Sequence, residues 1–502
     1  MTPALDGPPA DPAGPGRTGA ELTGPGEIRA PHPDPGRPRP GFPRPRSGSA
    51  GVVDAARSWW GRLPSAVQAT LPVWVASRIA VIVLSLAASR ALSGRPLAEL
   101  PGLRTLWDRW DVGLFTKVAR FGYASPEYTD RTEVDFPGFP LAMRLAHLFV
   151  PDWTFAGMAV SFVAGAAAMA AIWQMQMDDQ TRVDDAAADR TAPTTRHRTA
   201  VRDQTDIRDR TAVADRTAVA GRGSLPDTRD TTPALAGAPG GWAASDGWGA
   251  PDRRGADFAV IAVVLFPYAV FLCAAYSEAI FLGFATTSWL AARRQRWWLA
   301  GLLGAGAAST RVTGIPFCLA LAVQYVVSRR RAGLPVFAPA GLALALPPLP
   351  VLAFVSYLRV RTGHWDAYTQ AMRDGWQRWV DWPWEGWRTS WHSAFDASQS
   401  SAFTWFWRGE VAAVVVGVVV AVALLRSARF GEATFVGGAT LLMSCSNYYA
   451  SGIRTMLVAF PTYLLLGRVV TRRPWVRPVY IWLSAPVMAT FVIAFTQGQW
   501  VD

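Results

Sequence analysis

The sequence predicts an all-α polytopic transmembrane protein, a helical bundle of about 9–11 spanning or re-entrant helices with extracytoplasmic loops. Hydrophobic residues fill 51% of the 502 positions and charged residues only 17%, and the apolar residues gather in long blocks that a water-soluble domain rarely tolerates. Arginines cluster just outside those blocks, and Lys117 is the only lysine. That placement is the one that keeps basic loops on the cytoplasmic side. The net charge of +12 therefore reads as topology. No zinc-finger spacing and no basic helix with a dimerisation seam accompanies it, so no nucleic-acid partner is expected.

Residues 1–66 are rich in Pro, Gly and Arg and lack the charged-then-apolar layout of a cleavable signal, so they read as a disordered cytoplasmic tail. The first half of the membrane domain, 67–173, opens with a span at 69–92. Arg57 and Arg62 upstream favour a cytoplasmic N-terminus, which sends the next loop outside. That loop, 93–136, contains LWDRWDVGLF, and its part 113–121 has the pattern of an amphipathic helix lying on the membrane surface. PGFPLAMRLAHLFV, which follows, is too short to cross: at ~1.5 Å per residue it falls well short of a ~30 Å hydrocarbon core. A better span lies at 154–173.

The segment 174–256 contains almost no apolar run and repeats itself, DRTAVADRTAVAGRG following HRTAVRDQTDIRDR. With so little apolar surface to bury it reads as a disordered cytoplasmic insertion. The second half of the membrane domain, 257–502, begins with spans at 258–275 and 279–292, separated by Tyr276, Ser277 and Glu278 and followed by Arg293, Arg294 and Arg296. Those arginines belong inside, which puts Tyr-Ser-Glu outside. The block 297–327 has arginine clusters at both ends and STRVTGIP at its centre. A single crossing cannot leave both ends cytoplasmic, so this block reads as a hairpin of short or re-entrant helices. A further crossing at 333–360 leads to an outer loop, 361–408, through which tryptophan recurs, as suits a membrane interface. Spans at 409–425, 433–448, 456–470 and 479–495 complete the chain.

Cys273, Cys318 and Cys445 lie singly in apolar stretches, which suggests neither a disulfide framework nor a metal cluster. His147, His364 and His392 lack metal-ligand spacing. On this topology the acidic and basic residues stranded among apolar spans converge on the outer side: Asp108 and Asp111 in the first loop, Glu278 at a helix turn, Arg311 at the hairpin break and Arg454 before a late span. An outer loop with a carboxylate near the bilayer suits an enzyme that takes a lipid-linked donor. An aspartate within hydrogen-bond reach removes the proton of an attacking sugar hydroxyl, and Arg311 and Arg454 neutralise a leaving phosphate. Each residue also has a structural reading: Asp108 and Asp111 as solvated loop charges, Glu278 and Arg311 as a pair bridging two helices, Arg454 as an interfacial anchor.

Five segments, read in order, resemble the phosphatidylinositol-glycan class V (PIG-V) family of membrane mannosyltransferases, part of the GT-C glycosyltransferase group. They are RWDVGLFTKVARFGY at 109–123, DFPGFPLAMR at 135–144, FPYAVFLCAAYSEAIFL at 266–282, RRQRWWLAGLLGAGAASTRVTGI at 293–315 and IRTMLVAFPTYLLLG at 453–467. The resemblance implies a GT-C-like helical bundle and a hexosyltransferase that moves mannose from a polyprenyl-phosphate mannose donor to a lipid, glycan or protein acceptor. The active site would face the outside of a multi-pass cell-membrane protein. By this resemblance Asp111 takes the place of the family's first-loop aspartate, and Tyr276, Glu278, Arg311 and Arg454 match other motif positions. Together with the reading of the residues this gives Asp111 as catalytic base with Asp108 as second choice, Arg311, Arg454 and Arg109 as donor-phosphate ligands, and Tyr276, Glu278 and Tyr123 as acceptor-site or structural residues. The chain departs from the family at Leu114 and Phe115 after the aspartate, at Gly138 and Phe139, and at Thr455 after Arg454. No cofactor is assigned, and a divalent metal is not chemically required because arginines can neutralise the leaving group. Two other classes fit the same composition: a lipid or glycan transporter with broken helices, and a non-catalytic scaffold with a disordered arm.

Overall fold

The computed structural model describes residues 57–94, 99–123, 131–191, 253–396 and 400–501. The chain divides into two units, Met1–Trp59 and Trp60–Asp502. In the first, the described residues 57–59 are helical; the second carries everything that follows. Most of the N-terminal tail (1–56) and of the insertion (192–252) lies outside the described residues.

The second unit is all-α, with no strand among the described residues. Helix α1, Ser65–Ser93, is long enough at ~1.5 Å per residue to cross a bilayer with length to spare. It stops at Gly94, whose φ of 65° is the left-handed cap that glycine adopts without strain. The first outer segment folds into α2, Leu103–Trp107, then α3, Asp111–Phe121, then α4, Gly138–His147. Helix α3 is amphipathic as expected, burying Val112, Phe115, Val118 and Ala119. Helix α5, Trp153–Thr191, runs well past the 173 boundary. The start of the expected disordered insertion is thus helix, because a formed helix extends at little cost per residue once its apolar part is anchored.

The expected span 258–275 is broken. Helix α6, Arg254–Val264, ends just before Pro267, which has no N–H to donate and disfavours helix in the residue ahead of it. A buried 3-10 turn, Ala269–Leu272, follows. Helix α7, Ser277–Arg293, is the axis of the bundle, buried on nearly every side between α5 and the next helix. Gly283 allows the α5 contact: a Cβ there would lie 2.7 Å from the carbonyl oxygen of Ala164.

The expected hairpin forms as α8, Trp297–Ala308, and α9, Gly314–Arg331. Gly314 makes it possible, since a Cβ at this position would overlap the backbone of Ala308. A 3-10 stretch from Pro339 and α10, Leu349–Thr362, together make the next span. The Trp-rich segment is not a loop. It forms α11, Ala367–Trp376, and α12, Pro383–Phe395, and its last residues already belong to α13, Ser401–Arg426. Aromatic side chains packing on one another, such as Trp387 on Trp391 one turn along, let a segment without long apolar runs hold helical order. Helix α14, Phe430–Ser444, leads to α15, Gly452–Val458, and α16, Pro461–Arg472, which meet at 67°. Pro461 opens α16 where a missing N–H costs nothing. Helix α17, Val476–Thr496, ends the bundle against α1.

Among the described residues five helices are long and apolar enough to cross a membrane, or six if the bent pair α15–α16 is one span. The remaining expected crossings fall on shorter helices. The outward faces of the long ones stay apolar: Val83 is 57% exposed, Val163 68% and Trp482 78%. A surface of that kind needs lipid around it, so the chain is a multi-pass membrane protein.

The two ends of α7 carry different chemistry. At its C-terminal end Arg293 pairs with the buried carboxylate of Asp179 on α5. Arg429 and Arg468 join the same carboxylate at 2.6 and 2.9 Å, and Arg429 also holds Glu432 at 2.9 Å. Four helical segments are thereby tied together, roughly 22 Å along α7 from Glu278.

Candidate active site

At the N-terminal end of α7, ionic side chains from four segments meet. Glu278 is fully buried in the first turn. Its Oε1 accepts from Arg454 Nη2 at 2.6 Å and Nε at 2.7 Å, and lies 2.5 Å from Arg311 Nη1. Arg454 reaches on through Nη1 to Asp111 Oδ2 at 3.4 Å, and Arg311 Nη1 also donates to Ser277 Oγ at 3.0 Å. Two guanidinium groups thus face two carboxyl groups, and such charges are tolerated in a buried setting because they face one another.

Local backbone chemistry sets these positions. Helix α3 begins at Asp111 directly after Trp110, a non-glycine residue held at φ 53°, ψ −122°. That geometry is normally supplied by glycine and costs an L-residue about 1–3 kcal/mol. It turns the Asp111 N–H toward Tyr276 Oη, 3.2 Å away. Helix α15, which carries Arg454, likewise starts after a left-handed residue, Ser451, at φ 62°. Its first N–H groups, on Gly452 and Ile453, donate to the buried carboxylate of Glu410 on α13 at 2.6 and 3.4 Å. An anionic cap of this kind complements the helix dipole and fixes the angle at which Arg454 enters the site. The guanidinium then lies 4.7 Å above Phe271 and 5.1 Å above Tyr276.

The cluster forms one wall of a cavity of about 580 Å³, lined by Asp111, Ser277, Arg311 and Arg454 together with residues from α11, α14 and the following loops. A volume of this order suits a small-molecule ligand. The sequence pattern missed three polar residues at or beside this wall. Arg378 lines the cavity, donates from Nε to Ser446 Oγ at 2.9 Å, and has no acidic partner among the described residues. Glu410 positions α15. Asp135 lines the cavity with its residue 9% exposed and its Oδ2 without a hydrogen-bond partner among the described residues. Burial pushes its carboxyl well above the usual carboxylate range, and the neighbouring charge of Asp111 adds to the rise. One signal was available for Glu410, an acidic residue within an apolar span. Asp135 opens the 135–144 motif and Arg378 lies in the Trp-rich segment, but neither interrupts an apolar run, so no pattern singled out either side chain.

Three expected site residues sit elsewhere. Asp108 ends α2 and is 4.0 Å from Arg104, which is closer to Asp152 at 3.1 Å. Arg109 points to the end of α17, donating from Nη2 to the Thr496 carbonyl at 3.4 Å. Tyr123 lies behind the cavity wall, among Phe136, Phe354 and Tyr357, and donates its hydroxyl to the Asp135 carbonyl at 2.5 Å. Among the described residues no group of three His, Cys, Asp or Glu side chains is placed to hold a metal ion, and the three cysteines are free thiols.

The site defines a membrane protein with a cavity that has a carboxylate and guanidinium wall. No protein-family model matches the chain, and no curated protein or solved structure is significantly similar to it.

Proposed function

We propose that this protein is a membrane glycosyltransferase that moves mannose from a polyprenyl-phosphate mannose donor to an extracytoplasmic lipid, glycan or protein acceptor. The observation that carries this reading is the meeting of Asp111, Arg454, Glu278 and Arg311 at one cavity wall, from four segments far apart in the chain. The order of the five PIG-V-like motifs supports it, because the same four residues stand at matching motif positions. The arginine-rich turns 293–296, 426–429 and 472–473 support an outer location for the opposite, Glu278 end.

In this reading an acceptor hydroxyl attacks the anomeric carbon of the sugar. Asp111 takes the hydroxyl proton as the new bond forms, and the bond from the anomeric carbon to the phosphate oxygen breaks with inversion. Arg311 and Arg454 are held rigid by Glu278, so they present fixed positive charge without reorganising during the reaction. Arg378, which has no carboxylate partner among the described residues, is the cation most available to the donor phosphate. The tryptophans at 376, 379 and 407 on the cavity lining offer faces for a sugar or an isoprenoid chain.

The test is transfer of labelled mannose from polyprenyl-phosphate mannose in membranes carrying the protein, with mass analysis of the product. Transfer by the wild type, and its loss in folded Asp111→Asn, is the expected result; normal transfer by that variant would remove Asp111 from the mechanism. A second reading, a lipid or glycan transporter, is favoured by the 67° break between α15 and α16 beside Arg454. Substrate translocation into vesicles without any glycosidic product would select it.

A further inference from the structure

The segment between α3 and α4 is built around Asp135. Its N–H donates to the Thr132 carbonyl at 3.0 Å, and its own carbonyl accepts the Tyr123 hydroxyl at 2.5 Å, so the backbone is clamped on both sides. One residue further on, Phe136 packs on Phe354 at 5.1 Å between ring centres, and Gly138 N–H is bonded to the Ser309 carbonyl at 2.7 Å. These contacts pin the side chain at the cavity wall, where Oδ2 is buried and unpartnered among the described residues. A carboxylate so placed would be desolvated with no hydrogen bond to that oxygen, whereas a neutral carboxylic acid would offer a hydrogen-bond donor to the cavity.

We propose that Asp135 acts in the cavity as a neutral carboxylic acid, donating a hydrogen bond to the phosphate oxygen that leaves the sugar. The inference rests on the glycosyltransferase reading for its place in the reaction. As the bond from anomeric carbon to phosphate oxygen breaks, the electron pair goes to that oxygen. The acceptor proton goes to Asp111, and the Asp135 proton is shared with the newly dianionic phosphate. Burial and the negative charge of Asp111 hold Asp135 protonated, and Glu133 acts in the same direction. Arg454 opposes them. Tyr123 and Tyr368, whose hydroxyls burial raises further above their ordinary value, stay neutral and complete the surroundings with Arg311 and Arg378 on the cavity lining.

Removing one donor aimed at a developing oxyanion costs about 10²–10³ in rate. Asp135→Ala is therefore expected to lose transfer by about that factor, whereas Asp135→Asn keeps an N–H donor and stays within about tenfold of the wild type. The second readout is independent of transfer: binding of a short-chain polyprenyl phosphate to the detergent-solubilised protein, followed by tryptophan fluorescence across pH 5–9. Wild-type affinity should fall as pH rises through the Asp135 ionisation, a step absent in Asp135→Asn; the ionisation of the phosphate itself is common to both. If Asp135→Asn proves as inactive as Asp135→Ala while folded, the residue is needed as a carboxylate and the proposal is overturned. Identical pH dependence of binding in both proteins overturns it too, as does absence of binding by the wild type. An Asp135-dependent step in binding without any sugar transfer would instead remove the transferase reading and leave Asp135 as the acid of an anion site. Asp135→Asn is nearly isosteric, so the comparison stands even if Asp135→Ala fails to fold.

Discussion

Arg454 donates from both Nε and Nη2 to one oxygen of Glu278, at 2.7 and 2.6 Å, across 176 residues of sequence. Both side chains are buried, and Arg311 shares the same oxygen. The pair joins the first turn of α7 to the first turns of α15, and through Arg454 to Asp111 on α3.

Breaking a buried pair from one side leaves an uncompensated charge. Glu278→Ala strands two arginines and is expected to cost roughly 3–5 kcal/mol. Glu278→Gln, which keeps an acceptor oxygen, should cost less. Thermal midpoints in detergent check the order; equal midpoints for Glu278→Ala and wild type would deny the pair any structural role.

At the other end of α7, Asp179→Asn leaves Arg293, Arg429 and Arg468 around a neutral side chain. A loss of roughly 3–5 kcal/mol is expected here as well. Because this cluster lies roughly 22 Å from Glu278, transfer per folded molecule should stay at the wild-type level. Activity normalised to the folded fraction distinguishes this from an effect on chemistry.

Ser451 holds a left-handed backbone at φ 62° ahead of α15. Ser451→Gly should relieve the strain and raise stability by up to about 1 kcal/mol, whereas Ser451→Val should lower it. Gly314→Ala works in the opposite sense: its Cβ would overlap the backbone of Ala308, and about 1–3 kcal/mol should be lost. Paired thermal melts of the three variants measure both effects.

The raised ionisation of Asp135 also makes stability depend on pH. In the unfolded chain the carboxyl loses its proton near the ordinary value of about 4; in the folded chain it keeps the proton to higher pH. The folded state therefore binds more protons above that point, and stability falls as pH rises toward the folded ionisation. Asp135→Asn should gain on the wild type between pH 5 and pH 8, seen as a smaller drop in thermal midpoint. A parallel drop in both proteins would show that Asp135 ionises normally.

Glu278, Arg311 and Arg454 were legible as a group because each interrupts an apolar stretch, and ionisable residues in such places must find one another. Asp111 was legible from the Arg-Trp-Asp context at the start of an amphipathic pattern. Arg109 and Asp108, two and three residues before it, share that context but point elsewhere, since α3 begins only at Asp111 and the positive φ of Trp110 turns the chain between them. Tyr123, expected as an acceptor-site or structural residue, braces Asp135 from behind.

The sequence by itself determined an all-α membrane bundle, the α8–α9 hairpin and the gathering of charge at one end of α7. Apolar run length, glycine and proline placement and flanking arginines act locally and can be read along the chain. Only the tertiary structure decided that Asp135 is buried, that Arg378 faces the cavity and that Glu410 caps α15. Burial and partnering of an ordinary loop or span-end charge depend on which distant segments pack around it, and no local pattern carries that information.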